Sequence, residues 1–148
     1  MNVSQKCQYA LRAIFELSRR QGNGVTPISA LAEAQAIPSR FLEQILGQLR
    51  QGGFVESRRG VRGGYRLVAP PEQLTVGQII EFIDGPLTIV RCLGHSGTAC
   101  RLTGHCAFTD LWERARRALT EVYHRTSFQD LVRQHEQRNS RSVLGDNI

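Results

Sequence analysis

The order of the elements predicted for residues 28–68 constrains this chain more than any other feature of its sequence. Apolar residues recur at helical spacing in 28–34 and again in about 38–51, and the short segment 35–37 separates the two patterns. Two strand-like segments, 54–57 and 64–68, follow, with a turn rich in glycine and arginine between them. A helix, a short turn, a second helix and a β-hairpin in this order predict a winged helix-turn-helix.

The second helix of this pair has the two faces that a DNA-reading helix needs. Its predicted buried stripe consists of Leu42, Ile45, Leu46 and Leu49. In a major groove, Gln44 would bind adenine, Arg40 would reach guanine or a phosphate, and Glu43 would accept from the cytosine amino group. The candidate DNA contacts of this helix are Ser39, Arg40, Glu43 and Gln44.

The turn of the hairpin is also suited to DNA. Its glycines let the backbone come close to a duplex, and its arginines suit phosphates or a minor groove. The candidate DNA contacts of the hairpin are Ser57, Arg58, Arg59, Gly60 and Arg62. The same glycines do not form a nucleotide-binding loop, because they lie between two strands and no Gly-Lys-Ser or Gly-Lys-Thr follows.

The distribution of charge agrees with a nucleic-acid partner. The 148 residues carry a net charge of +6, and residues 1–74 hold 10 basic and 5 acidic residues against 9 and 8 in residues 75–148. Of the 19 basic residues only Lys6 is a lysine, and arginine favours phosphates and base edges. We find no recognisable spacing of nucleophile, base and orienting group, so the sequence does not predict an enzyme.

The rest of the chain predicts helices around a central loop. Helical patterns cover residues 4–20, 75–83 and 109–125, and a short capped helix covers 127–132. The expected organisation is a DNA-binding domain in 1–74, a connecting helix and cysteine-rich loop in 75–107, a long and a short helix in 108–135, and a disordered tail in 136–148. The absence of a long apolar run or an export signal predicts a soluble cytoplasmic protein without a membrane partner.

Three of the four cysteines lie on the glycine-rich loop. Cys92, Cys100 and Cys106 can wrap an iron-sulfur cluster, which usually takes four protein ligands. Two alternatives stay open: a zinc site completed by His95 and His105, and free or redox-sensing thiols. The fourth cysteine, Cys7, shares an apolar helix face, so it is either a buried, inert thiol or a ligand donated across a dimer.

Several motifs of this chain resemble the Rrf-two family of winged-helix regulators, whose branches include IscR, NsrR, RirA and CymR. The similarity extends from residue 1 to about residue 134. The motifs that carry it are Val3-Ser4-Gln5-Lys6, Tyr9-Ala10-Leu11, Phe41-Leu42-Glu43-Gln44-Ile45-Leu46, Leu49-Arg50, Arg59-Gly60 with Gly63-Gly64-Tyr65, and Arg91-Cys92.

The resemblance implies a mainly α-helical protein with a small β-hairpin wing and a long C-terminal dimerisation helix. It implies a homodimeric transcriptional regulator, usually a repressor, on a pseudo-palindromic DNA operator. The positions that match the family's DNA contacts are Ser39, Arg40, Glu43, Gln44, Ser57, Arg59 and Gly60. Those that match its ligands for a [2Fe-2S] or [4Fe-4S] cluster are Cys92, Cys100 and Cys106.

The sequence departs from the family at the fourth cluster ligand. Thr109 stands where the IscR branch has a histidine, and Gln8 stands where the NsrR branch has an acidic residue on the first helix of the other subunit. We therefore expect Cys7 or Gln8 of a second subunit to complete or shield the cluster.

The expected function is control of transcription in response to iron, redox state or nitric oxide. The alternatives are a regulator of the same fold that works through its thiols or a partner protein without a cluster, and a zinc-stabilised DNA-binding protein.

Overall fold

The computed structural model describes residues 2–93 and 100–145. In these residues the fold is mostly helical, with one two-stranded antiparallel hairpin, and the predicted fold class is confirmed. The helices are α1 (Gln5–Arg19), α2 (Ile28–Gln35), α3 (Ser39–Gln51), α4 (Val76–Asp84), α5 (Thr109–Arg125) and α6 (Phe128–Gly145). The strands are β1 (Val55–Arg58) and β2 (Gly64–Leu67), and single 3₁₀ turns cover Pro71–Gln73 and Arg91–Leu93. No helix in this part of the chain is long and apolar enough to cross a membrane.

Helix α1 is the centre of the packing. It begins where the Ser4 side chain accepts a hydrogen bond from the backbone N–H of Cys7 at 3.1 Å, which satisfies one of the free donors of the first turn. Its buried face packs against α2, α3, α4 and α6. Because one helix contacts four others, α1 joins the helix-turn-helix to the C-terminal half of the chain.

The turn between α2 and α3 is short because its backbone reverses sharply. Ala36 adopts a left-handed conformation with φ of 51°, and the N–H of Ile37 donates to the carbonyl of Ala32 at 3.0 Å. Ile37 is buried, and Pro38 precedes the first turn of α3. Helix α3 packs against α2 with its apolar stripe inward, and Leu42, Ile45, Leu46 and Leu49 are all buried.

The hairpin is joined to the helices by a bridge that extends its sheet. The two strands pair from Val55 opposite Leu67 to Arg58 opposite Gly64, and Val55 and Leu67 are buried. Thr26 then pairs with Tyr65, and each backbone N–H donates to the other residue's carbonyl at 2.8 Å. The segment before α2 is therefore hydrogen-bonded to the wing.

The C-terminal helices attach to the start of α4. The N–H of Phe128 donates to the carbonyl of Leu74 at 2.9 Å, and the N–H of Val76 donates to that of Thr126 at 3.0 Å. Phe128 is fully buried at the first turn of α6. These bonds hold the junction between α5 and α6 against the hydrophobic core.

The predicted disorder from residue 136 is wrong for the described part of the tail, because α6 continues to Gly145. The predicted short helix at 127–132 is only its first part. Phe128 and Val132 are buried at the beginning of the helix, and the ring of His135 contacts the ring of Phe15 edge to face. Once a helix has formed, each added residue avoids the cost of nucleation, so the polar sequence beyond Glu136 can continue it without an apolar stripe.

A buried carboxylate ties α1 to α2. Glu16 accepts hydrogen bonds from Arg20 at 2.8 Å, Gln35 at 2.9 Å and Arg19 at 3.2 Å. Burial alone would raise its pKa, but the hydrogen bonds from Arg20 and Gln35 and the charges of both arginines outweigh that effect. The pKa of Glu16 is therefore held below its usual value.

We expect Glu16→Gln to lower the free energy of unfolding by about 1–3 kcal/mol at neutral pH, since it removes charged hydrogen bonds. The stabilisation from a carboxylate with a lowered pKa is present above its unfolded pKa of about 4.3. It is lost as the pH falls through the lower folded value, so the difference between variant and wild type should shrink in acid. Denaturant unfolding across this pH range measures it, and Glu33→Gln, at an exposed site on α2, is the control. A difference that did not change with pH would contradict this account.

Candidate nucleic-acid interface

The exposed side of α3 presents all four predicted base-contacting residues. Ser39, Arg40, Glu43 and Gln44 are exposed, and the leucines and isoleucine behind them hold the helix against the core. The guanidinium of Arg40 lies over the ring of Phe41, 5.2 Å from its centroid. The helix thus offers donors, acceptors and a cation on one solvent-facing side, which is what contact with base edges requires.

The structure also brings the predicted hairpin residues together. A groove of about 510 Å³ lies between the start of α2 and the wing. Its lining includes Ser57, Arg58, Arg59 and Gly60, together with Arg50 from the end of α3. Arg62 is exposed on the turn but does not line the groove. Three arginines and no acidic side chain line this groove, so its electrostatic potential favours a polyanion.

Arg50 has a structural role that the sequence reasoning missed. Its Nη1 donates a hydrogen bond to Ser57 Oγ at 3.2 Å, which connects the last turn of α3 to β1. No sequence signal identifies Ser57 as the partner of Arg50. The bond makes the wing and α3 one continuous surface.

The fourth cysteine is in the core. Cys7 has no exposed surface, and burial, together with the charge of Asp84 and a hydrogen bond to it, raises the pKa of its thiol to about 12. A buried thiol of this kind is neither an available ligand nor a nucleophile, so the expectation that Cys7 reaches a second subunit conflicts with its position. Gln8 is exposed, and its side chain donates to the carbonyl of Val3 at 3.1 Å.

The loop cysteines are accessible at three separate places. Cys92 lies in the 3₁₀ turn that follows α4 and is exposed, Cys100 is exposed, and Cys106 is partly exposed three residues before α5. His105 is exposed, whereas His95, the other predicted zinc ligand, lies outside the described residues. Within residues 2–93 and 100–145, no three His, Cys, Asp or Glu side chains form a metal-binding group. The structure therefore does not bring the three thiols together.

The thiols nevertheless fit an iron-sulfur cluster by their chemistry. Iron-sulfur clusters are held by cysteine thiolates, and these three side chains share one segment between α4 and α5 with access to solvent. Three thiols leave one ligand position to be filled from elsewhere in the protein or from a second copy.

Helix α5 has an apolar side that the described chain covers only in part. None of its residues is buried, although its apolar residues follow helical spacing. Leu111 is 48% exposed and Val122 is 59% exposed. The C-terminal end of α5 is held against α4 on a different side, where His124 Nε2 lies 2.8 Å from Glu81 Oε1. A helix with this pattern is typical of an interface between chains.

The chain matches one family model over residues 3–134, with the description "Rrf2: Iron-dependent Transcriptional regulator". CymR of Bacillus subtilis strain 168, an HTH-type transcriptional regulator, is 35% identical over 132 residues, which cover 89% of this chain and 90% of CymR. IscR of Pectobacterium carotovorum, also an HTH-type transcriptional regulator, is 29% identical over 136 residues, 92% of this chain and 82% of IscR.

Two solved structures have the same fold. The structure of CymR of B. subtilis superposes with a TM-score of 0.78 at 32% identity, and covers 90% of this chain and 98% of that one. The structure of IscR of T. potens gives a TM-score of 0.74 at 29% identity, with 93% and 90% covered. These relatives are transcriptional regulators rather than enzymes. The family match, the relatives and the exposed polar side of α3 agree, and the chain belongs to the Rrf2 (Rrf-two) family of winged-helix, DNA-binding transcriptional regulators.

Proposed function

We propose that this regulator binds a pseudo-palindromic DNA operator as a homodimer and represses transcription there. The observation that carries the proposal is the continuous surface formed by the exposed side of α3 and the arginine-lined groove of the wing. Helix α3 enters the major groove, where Arg40, Glu43 and Gln44 contact bases and Ser39 contacts bases or backbone. The wing binds phosphates or the adjacent minor groove through Ser57, Arg58, Arg59, Gly60 and Arg62.

The homodimer is supported by α5. The exposed part of its apolar side, which includes Leu111 and Val122, would be buried by the same helix of a second copy, and burial of such surface stabilises association. A dimer with a twofold axis presents two α3 helices to two half-sites, so the operator has the same symmetry as the protein.

Gln44 and Arg59 test the two parts of the proposed interface, the base contacts and the phosphate contacts. On duplexes selected from a random pool by the full-length protein, Gln44→Ala should cost about 1–3 kcal/mol per half-site and relax the preference for one adenine. Arg59→Ala should weaken binding to all duplexes and reduce the salt dependence, since it removes a cation near phosphates. Arg138→Ala, on exposed α6, is the control for loss of one arginine elsewhere. Equal affinity of all four proteins for all duplexes would contradict the proposed interface.

We propose further that Cys92, Cys100 and Cys106 hold an iron-sulfur cluster through which the protein senses iron, redox state or nitric oxide. A bound [2Fe-2S] or [4Fe-4S] cluster would supply a group that oxidants oxidise, that nitric oxide nitrosylates and that is lost when iron is scarce. Gln8 at the exposed start of α1 of a second copy is our candidate for the fourth ligand or a shield. The segment with the three cysteines leads from α4 into α5. In the proposed dimer, α5 sets the distance between the two α3 helices, so a change in the cysteine segment would change the fit of the dimer to DNA.

The cysteine assignment predicts a brown protein. Anaerobic purification should yield iron and sulfide in stoichiometric amounts and an absorption spectrum typical of a cluster. A variant with Cys92, Cys100 and Cys106 all replaced by serine should hold neither. Cys7→Ser is the matched control and should keep both, because Cys7 is buried away from solvent. Removal of the cluster by a chelator should change the affinity for the selected duplex. A protein without iron, or equal DNA affinity with and without the cluster, would contradict the proposal.

A second candidate is a regulator whose loop thiols act without a cluster. It is favoured by the exposure of Cys92 and Cys100 and by the lack of a metal-binding group in the described residues. One of the similar proteins, CymR, is described as the global cysteine regulator of B. subtilis. This candidate predicts that metal-free protein binds DNA and loses affinity on mild oxidation. Zinc without sulfide in the same metal analysis would instead indicate a zinc-stabilised DNA-binding protein.

A further inference from the structure

One aromatic side chain lies outside the hydrophobic core, on the exposed side of α3 that is proposed to contact DNA (the DNA-reading side). Phe41 is 43% exposed, whereas Phe15, Phe54 and Phe82 pack against the hydrophobic cluster. It lies three residues before Gln44, so the two side chains are neighbours on one side of the helix. An exposed aromatic ring therefore lies beside a candidate base-reading amide on the same side of α3.

Phe41 lines a groove that continues the DNA-reading side toward α1. The groove has a volume of about 500 Å³. The α3 residues Phe41, Gln44, Ile45 and Gln48 form one wall, and the α1 residues Gln5, Lys6 and Tyr9 form the other. None of these seven side chains is acidic, and Lys6 is a cation. The occupant that suits this groove carries negative charge and also presents an apolar group to Phe41.

The ring of Phe41 is held by its neighbour. The Arg40 guanidinium lies over it at 5.2 Å from the ring centroid, an arrangement in which a cation and an aromatic ring attract each other. This contact favours one arrangement of the two exposed side chains. An ordered ring loses less conformational entropy on binding than a free one.

Double-stranded DNA offers one apolar group in its major groove, the 5-methyl group of thymine. We propose that Phe41 is a specificity-determining residue that contacts a thymine methyl next to the base read by Gln44. The inference rests on the proposed insertion of α3 into the major groove. It adds a thymine to the half-site, through an apolar contact rather than a hydrogen bond.

The test replaces thymine by uracil, which pairs with adenine in the same way but lacks the methyl group. In the duplex selected by the full-length protein, each thymine of a half-site is replaced in turn, together with its symmetry mate in the other half-site. Loss of one methyl contact should weaken binding by about fourfold per half-site at one position. Phe41→Ala should bind the thymine and uracil duplexes equally, while Phe41→Leu should keep part of the difference.

Two controls separate this contact from other causes. Leu144→Ala removes an exposed apolar side chain at the end of α6 and should keep the full uracil penalty. Because Phe41 is exposed, Phe41→Ala should retain the wild-type unfolding transition. A uracil penalty that persists in Phe41→Ala, or no penalty at any thymine, would overturn the inference while DNA binding by α3 stands. If no duplex is selected over random DNA, the proposed function fails, and the inference fails with it.

Discussion

We expect Gly64→Ala to separate the wing, which consists of β1, β2 and the turn between them, from the helices. The Cβ of Gly64→Ala would lie 2.2 Å from the backbone carbonyl oxygen of Thr26, a contact that neither backbone can accept without moving. The movement breaks the pairing in which Thr26 and Tyr65 exchange two hydrogen bonds of 2.8 Å. Overpacking and the loss of two buried backbone hydrogen bonds together should lower the free energy of unfolding by about 2–4 kcal/mol.

The effect of Gly64→Ala on DNA binding follows from the same movement. Ser57 and the arginines of the wing keep their identity but lose their position relative to α3. We expect affinity for the selected duplex to fall roughly tenfold or more, which corresponds to about 1.4 kcal/mol. Denaturant unfolding and DNA titration of the same preparation measure the two effects. Gly145→Ala is the control, because its Cβ would meet nothing within 4 Å. Wild-type stability and affinity in Gly64→Ala would contradict the described bridge.

Phe128→Ala is expected to have the largest effect on stability. Phe128 is fully buried in the hydrophobic cluster, and it begins α6 at the point where the chain is hydrogen-bonded to Leu74. Removal of a buried phenylalanine side chain loses its transfer free energy and leaves a cavity, at a cost of about 3–5 kcal/mol. For a chain of this length the melting temperature should fall by roughly 10 °C or more.

The matched control for Phe128→Ala is the same substitution at exposed Phe41, which should change stability by less than about 1 kcal/mol. Thermal and denaturant unfolding of the two variants measure the difference. Since α6 packs against α1, loss of the Phe128 anchor should also raise amide hydrogen exchange in α6 above that in α3. Similar unfolding free energies for the two variants would show that the junction between α5 and α6 does not carry this part of the core.

The packing contact between α4 and α5 is where the proposed sensing would reach the DNA-binding part of the chain. His124 contacts Glu81, and a Cβ added at Gly77 would lie 2.7 Å from the His124 ring, so the two helices are in close contact. Helix α4 in turn packs on α1, which packs on α3. Packed helices therefore connect the C-terminal end of α5 to α3, whose exposed side is proposed to contact DNA.

Much of the fold could be predicted because local patterns determine it. The stripe of Leu42, Ile45, Leu46 and Leu49 needs one buried side, which makes residues 39–51 a helix with a polar exterior. The glycines and arginines after β1 likewise predict a hairpin turn with accessible cations. The four candidate residues on α3 and the five on the hairpin are exposed, because the same patterns keep them out of the core.

Other features depend on partners far apart in the chain. The Arg50–Ser57 hydrogen bond, the Thr26–Tyr65 bridge and the burial of Glu16 against Gln35 have no periodic signal, so only the packed chain shows them. The continuation of α6 beyond residue 136 is another case. Its polar sequence reads as disorder, yet the anchored first turns at Phe128 and Val132 supply the nucleus that a helix needs.

The sequence by itself determined the winged helix-turn-helix, the family and the exposure of the candidate residues on α3 and the hairpin, because spacing, turn chemistry and charge are local properties. The tertiary structure decided how these parts are joined: it buried Cys7 against α4, left Gln8 exposed, attached the wing to α3 through Arg50, and left Leu111 and Val122 of α5 exposed. Such outcomes depend on which surfaces meet when the helices pack. The surfaces that meet are determined by the sum of many contacts between residues distant in sequence, so no single segment predicts them.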